Sequence, residues 1–141
     1  MSSYLFVLAM EVFTGLMHLM ESERRFQYHW RCVKEKISHL CFADDFMLFC
    51  RADETSIALI GECLDQFCSL SGLWANPNKS SMFLSGVPAS RKAHLLSILG
   101  YSEGELPIRY LGVPLISSKR CGSHCQVLVD RITDKAISWM C

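Results

Sequence analysis

The chain has 141 residues, half of them hydrophobic and a fifth charged, with Lys plus Arg equal to Asp plus Glu at 14 each. That composition excludes a disordered chain and allows one ordinary domain with its own core. A formal net charge of zero argues against a free-standing basic nucleic-acid binder but leaves room for a local basic patch.

Residues 3–21 are predicted as an amphipathic helix, with Leu5, Leu8, Ala9, Val12, Phe13, Leu16, Leu19 and Met20 at three- and four-residue steps. A membrane span competes with this reading, but Glu11 and His18 interrupt a stretch already short for a bilayer. Residues 22–35 are polar and rich in aromatics. Arg24, Arg25 and Arg31 interleave with Phe26, Tyr28 and Trp30, a pattern that suits either nucleic-acid contact or a plain surface connection with its aromatics against the core.

A hairpin follows over 36–51. Two apolar runs, Ser38 to Ala43 and Phe46 to Cys50, flank the pair Asp44-Asp45, expected at the turn. Aspartate suits turn geometry, but two adjacent carboxylates repel. A solvated bend would tolerate them; a divalent cation would give them a purpose, since Mg²⁺ takes hard oxygen ligands.

Asp53 is expected to cap a helix over 54–70, with Ile57, Ile60, Leu64 and Phe67 in period and Gly72 as the stop. Trp74 to Asn78 is a turn and Ser80 to Leu84 a short strand. Pro88 opens a second helix with Ala93, Leu96 and Leu99 on its apolar face, closed by Gly100. Leu106 to Leu115, punctuated by Pro107, Gly112 and Pro114, reads as an edge strand or tight hairpin. From 122 onward, Val127, Leu128, Ile132, Ala136 and Trp139 return to helical spacing. The element order gives an α+β class: an antiparallel sheet with helices packed on one face.

The eight cysteines are read as thiols and not as a disulfide framework. Several lie inside apolar patterns, and the N-terminus lacks the features of a secretory signal. Cys121-Gly-Ser-His-Cys125 has no second ligand pair to complete a zinc site. The expected compartment is cytoplasmic or nuclear, without export.

Several blocks occur in one order. They are Tyr4 to Glu11; Ile37 to Asp45 with Phe42-Ala43-Asp44-Asp45; Phe67 to Ser80 with Ser71-Gly72-Leu73, Asn76 and Lys79; and Leu106 to Leu115 with Tyr110-Leu111-Gly112. Asp130-Arg131-Ile132 and Ser138-Trp139 follow. Together they resemble the reverse transcriptase of non-LTR (LINE-type) retrotransposons, most closely the plant members. The resemblance implies an incomplete polymerase palm over 1–115 that contains the catalytic hairpin and runs into the start of the thumb over 116–141. It implies RNA-templated addition of deoxynucleoside triphosphates to a DNA primer, assisted by Mg²⁺.

By the same resemblance Asp44 and Asp45 are metal ligands, Asp44 the more direct. Lys79 is a catalytic residue near the incoming triphosphate, and Tyr110, Leu111 and Gly112 form a primer grip. The family carries a further catalytic aspartate on a strand before Tyr4, within a region this sequence does not contain. The chain by itself is therefore expected to be inactive. Two alternatives stand beside this reading. One is a non-catalytic nucleic-acid binder using Arg24, Arg25 and Arg31. The other is a structural protein in which the acidic pair is an ordinary turn.

Overall fold

The computed structural model describes residues 3–106 and the backbone of 108–110 and 113–115. The chain divides into two compact units, Met1–Glu103 and Gly104–Cys141.

The first unit opens with α1 (Ser3–Ser22). A polar connection leads to the hairpin of β1 (His39–Phe42) and β2 (Asp45–Leu48), and then to α2 (Glu54–Ser71). A 3₁₀ turn (Pro77–Lys79), β3 (Ser81–Met82), α3 (Ala89–Leu99) and β4 (Ser102–Glu103) complete it. The second unit is described only as the antiparallel hairpin of β5 (Ile108–Tyr110) and β6 (Val113–Leu115). The helical spacing expected after residue 122 lies outside the described residues.

The predicted α1 and α2 match the observed helices to within a residue or two, and α2 shows why. The Asp53 side chain accepts from the Ser56 backbone N–H at 2.9 Å and from the Ser56 hydroxyl at 3.0 Å. That satisfies donors the helix start would otherwise leave open. Ser56, itself fully buried, accepts from the Gln27 backbone N–H at 3.0 Å, so the cap also ties the polar connection to the helix. At the other end Gly72 takes φ +70° and its N–H reaches the Cys68 carbonyl at 2.9 Å. Glycine adopts that left-handed conformation without a Cβ clash.

The core of the unit is built from Phe13, Met17 and Met20 of α1, Phe26 of the connection, and Leu59, Ile60, Cys63 and Phe67 of α2. Phe46 and Leu48 of β2 pack against it. α3 docks on α2, where a Cβ at Gly61 would come within 2.9 Å of Leu99 Cδ2. Among the described residues α1 is the helix long and apolar enough to cross a membrane. Its Phe13 and Met17 are fully enclosed by protein, but only 17% of the stretch is buried.

Three details depart from the sequence reading. The strands form three two-stranded ladders among the described residues, not a single antiparallel sheet. One of them, β3 with β4, is parallel and was not expected, because two residues are too few to show a period. The apolar face of α3 is centred on Leu95, which is fully buried, whereas Ala93 is exposed. The helix is rotated toward α2 from the face its spacing suggested.

Candidate active site

The β1–β2 hairpin has the register His39↔Leu48, Leu40↔Met47, Cys41↔Phe46 and Phe42↔Asp45. The connecting residues are thus Ala43 and Asp44, and Asp45 is the first residue of β2 instead of part of the turn. Ala43 sits at φ +50°. A two-residue hairpin turn needs positive φ at its first position to follow the strand twist, and alanine adopts it against a steric penalty.

The two faces of the hairpin differ sharply. Alternation sends Phe46 and Leu48 inward, where Phe46 meets Phe13 with ring centroids 5.0 Å apart and Phe67 at 6.4 Å. Leu40, Phe42, Asp45 and Met47 share the outer face, and Leu40 and Phe42 remain 44% and 57% exposed. The rigid inner contacts hold the acidic tip in place.

Asp44 and Asp45 are both exposed, and no cation among the described residues pairs with either. Adjacent oxygen donors open to water suit one Mg²⁺, which keeps several waters and binds through one or two carboxylates. No group of three His, Cys, Asp or Glu side chains among the described residues is arranged to hold a metal. Among the described residues the pair therefore does not make a two-ion clamp.

Lys79 ends the 3₁₀ turn, exposed and without an ion pair among the described residues. Tyr110 is the last residue of β5, while Leu111 and Gly112 lie outside the described residues. Both strands around them belong to the second unit. The three arginines, Arg24, Arg25 and Arg31, are all exposed. Arg25 pairs with Glu23 at 3.1 Å, and Arg31 lies over the exposed Trp30 ring at 4.7 Å.

One polar cluster escaped the sequence reading. Ser38, buried just before β1, donates its hydroxyl to the Glu21 carboxylate of α1 and lies 2.9 Å from His39 Nδ1. A hydroxyl has one proton to give; with that proton on Glu21, the Nδ1–H tautomer of His39 is the one that can donate to Ser38. His18 of α1 stands edge-on to His39 at 6.1 Å. Burial lowers the His39 pKa and His18 lowers it further, with Glu21 acting in the opposite sense. The available signal was the His18-x-x-Glu21 spacing, which places both side chains on one helix face.

The thiols near the hairpin are chemically quiet. Burial, with Asp53 nearby, pushes Cys50 up to about 12, and burial pushes Cys63 up to about 11. Thiols of that kind are protonated at neutral pH and are poor nucleophiles. All the described cysteines are free.

No curated protein and no solved structure matches the chain. A family profile does match, described as reverse transcriptase (RNA-dependent DNA polymerase), over residues 1–115. That span includes the acidic hairpin, Lys79 and the β5–β6 hairpin. The chain belongs to the reverse transcriptase family.

Proposed function

We propose that the chain is part of the palm of a reverse transcriptase from a plant LINE-type retrotransposon, and that its β1–β2 tip is the metal-holding edge of the polymerase site. In this reading Asp44 is the principal Mg²⁺ ligand and Asp45 the second. Bound there, Mg²⁺ would neutralise phosphate charge during nucleotide transfer. Lys79 faces the incoming triphosphate, and Tyr110 with its two following residues holds the primer end. RNA template, DNA primer and deoxynucleoside triphosphates are the partners.

One observation carries the reading: within the matched span, an exposed and unpaired acidic couple sits at a hairpin tip braced from behind by aromatic packing. The brace keeps the carboxylates where a charged ligand can meet them without first reorganising the backbone, which is what electrostatic catalysis requires.

The chain alone is not an active polymerase in this proposal. In-line transfer needs carboxylates on more than one side of the metal, and the described residues supply one adjacent couple. Two experiments test the two halves separately. Mg²⁺ titration followed by backbone NMR is expected to shift signals at Ala43 to Phe46, and the shifts are expected to vanish in Asp44→Asn. Unchanged spectra would remove the metal site. Primer extension by the purified chain with Mg²⁺ is expected to be undetectable. Incorporation that disappears in Asp44→Asn would show the chain to be active after all.

A second reading has its own support in the Trp30–Arg31 stack, an exposed aromatic under a cation of the sort that receives single-stranded bases. It predicts salt-sensitive RNA binding that survives Asp44→Asn and weakens in Trp30→Ala.

A further inference from the structure

The residues of the hairpin favour a different register from the one observed. A turn on Asp44-Asp45 would set Ala43 opposite Phe46 and Phe42 opposite Met47, and aspartate tolerates the positive φ that such turns need. The structure instead turns on Ala43-Asp44, with Ala43 at φ +50°. The two ladders differ by two residues, so every side chain keeps its face and alternation does not choose between them. Burial does not choose either. No residue of β1 is buried, and Leu40, Cys41 and Phe42 are all exposed. A contact outside the strand pattern has to hold β1 in a register that strains its turn.

Ser38 is the side chain placed to do this. It is 2% exposed, next to a strand that is otherwise open. Its hydroxyl donates to Glu21 of α1 and lies 2.9 Å from His39 Nδ1. Its carbonyl accepts from the Phe49 backbone N–H at 2.6 Å, which extends the ladder one pair beyond His39↔Leu48. His39 adds an edge contact with Phe13, 5.9 Å between ring centroids. A two-residue slip would move β1 about 7 Å along β2. Leu40 would then stand opposite Phe49 where Ser38 stands now, and Glu21 would face leucine in place of a donor.

We propose that the Glu21–Ser38 contact selects the hairpin register, which makes Ser38 a positioning residue for the acidic couple. It keeps Asp44 in the turn and Asp45 on the outer face of β2, where local preference would put both in the turn. The strain at Ala43 accompanies that placement. The bearing on Mg²⁺ rests on the metal site proposed above; the register itself does not.

Cross-strand Hα–Hα NOEs in the full chain, recorded without Mg²⁺, are the test. Such NOEs join the closely spaced, non-hydrogen-bonded pairs of an antiparallel ladder. The Ser38–Phe49 bond makes those pairs His39–Leu48 and Cys41–Phe46. In Ser38→Ala both are expected to be lost and replaced by Leu40–Phe49 and Phe42–Met47. Glu21→Met is expected to cause the same switch, and Glu21→Gln, which keeps an acceptor, is expected to retain the original pairs. Adding Ala43→Gly to Ser38→Ala is expected to bring the original pairs back, because glycine takes the positive φ without strain. Original pairs retained in Ser38→Ala or in Glu21→Met would overturn the proposal. So would loss of both sets in Ser38→Ala, which would make Ser38 a support of the strand and not the selector of its register. Failure of Ala43→Gly to restore the original pairs would overturn it too. With no Mg²⁺ present, each outcome is independent of whether the tip binds metal.

Discussion

Ala43 holds the turn of the acidic hairpin in a conformation that L-residues other than Asn and Asp rarely adopt. Glycine would adopt it freely but would lose more chain entropy on folding. The steric term is the larger, so Ala43→Gly is expected to stabilise the fold by roughly 0.5–1 kcal/mol, read from the urea midpoint at constant m. His39 sets a pH dependence a few residues away. Its ordinary value is 6.5, and burial and His18 lower it in the fold. The folded state therefore favours the neutral ring. The stabilisation is complete above pH 6.5 and is lost as the pH falls toward the lowered value. Thermal midpoints between pH 7.5 and about 5 are expected to fall, and His39→Gln is expected to flatten that decline.

At the scale of elements, helix ends were legible because their chemistry is local. An aspartate that can turn back onto the third residue of a helix, and a glycine that can go left-handed, are properties of a few neighbouring residues. Asp53→Ala is expected to cost about 1–2 kcal/mol. The loss should exceed that of an ordinary exposed cap, because the Ser56 hydroxyl also loses the acceptor that orients it toward Gln27. A chemical denaturation series comparing Asp53→Ala with Asp53→Asn checks this, and the asparagine is expected to retain most of the stability. The rotation of α3 onto Leu95 was not legible. Leu99, already on the predicted face, does approach Gly61, and what the spacing did not show is that Leu95 and not Ala93 is buried beside it. The β3–β4 pair was hidden for a similar reason: its partners, Ser81 with Ser102 and Met82 with Glu103, are joined across a helix.

Across the whole first unit, Phe13 is the residue on which the parts converge. It is fully enclosed, with Phe46 at 5.0 Å, Phe67 at 5.1 Å and His39 at 5.9 Å between ring centroids. One side chain from α1 thus touches both strands of the hairpin and the buried face of α2. Phe13→Ala is expected to cost about 3–5 kcal/mol, a large share of what a domain of this size has. Loss of near-UV circular dichroism and of hairpin amide protection would register it. The contrast between this packed interior and the open faces of α1 and the hairpin also belongs to this scale. Leu8, Leu19 and Phe42 lie at the surface although their residue type favours burial.

The order of helices and hairpins, the caps of α2, the acidic couple between two apolar runs and the family blocks around it were all determined by the sequence. Each depends on residue types within a few positions of one another. Only the tertiary structure decided that Asp45 begins a strand while Ala43 carries the strained turn. It alone joined Glu21, Ser38 and His39 and gave α1 two apolar faces, one buried and one open. Those outcomes depend on which surfaces meet across long stretches of chain, and side-chain packing between distant segments leaves no period in the sequence from which to read them.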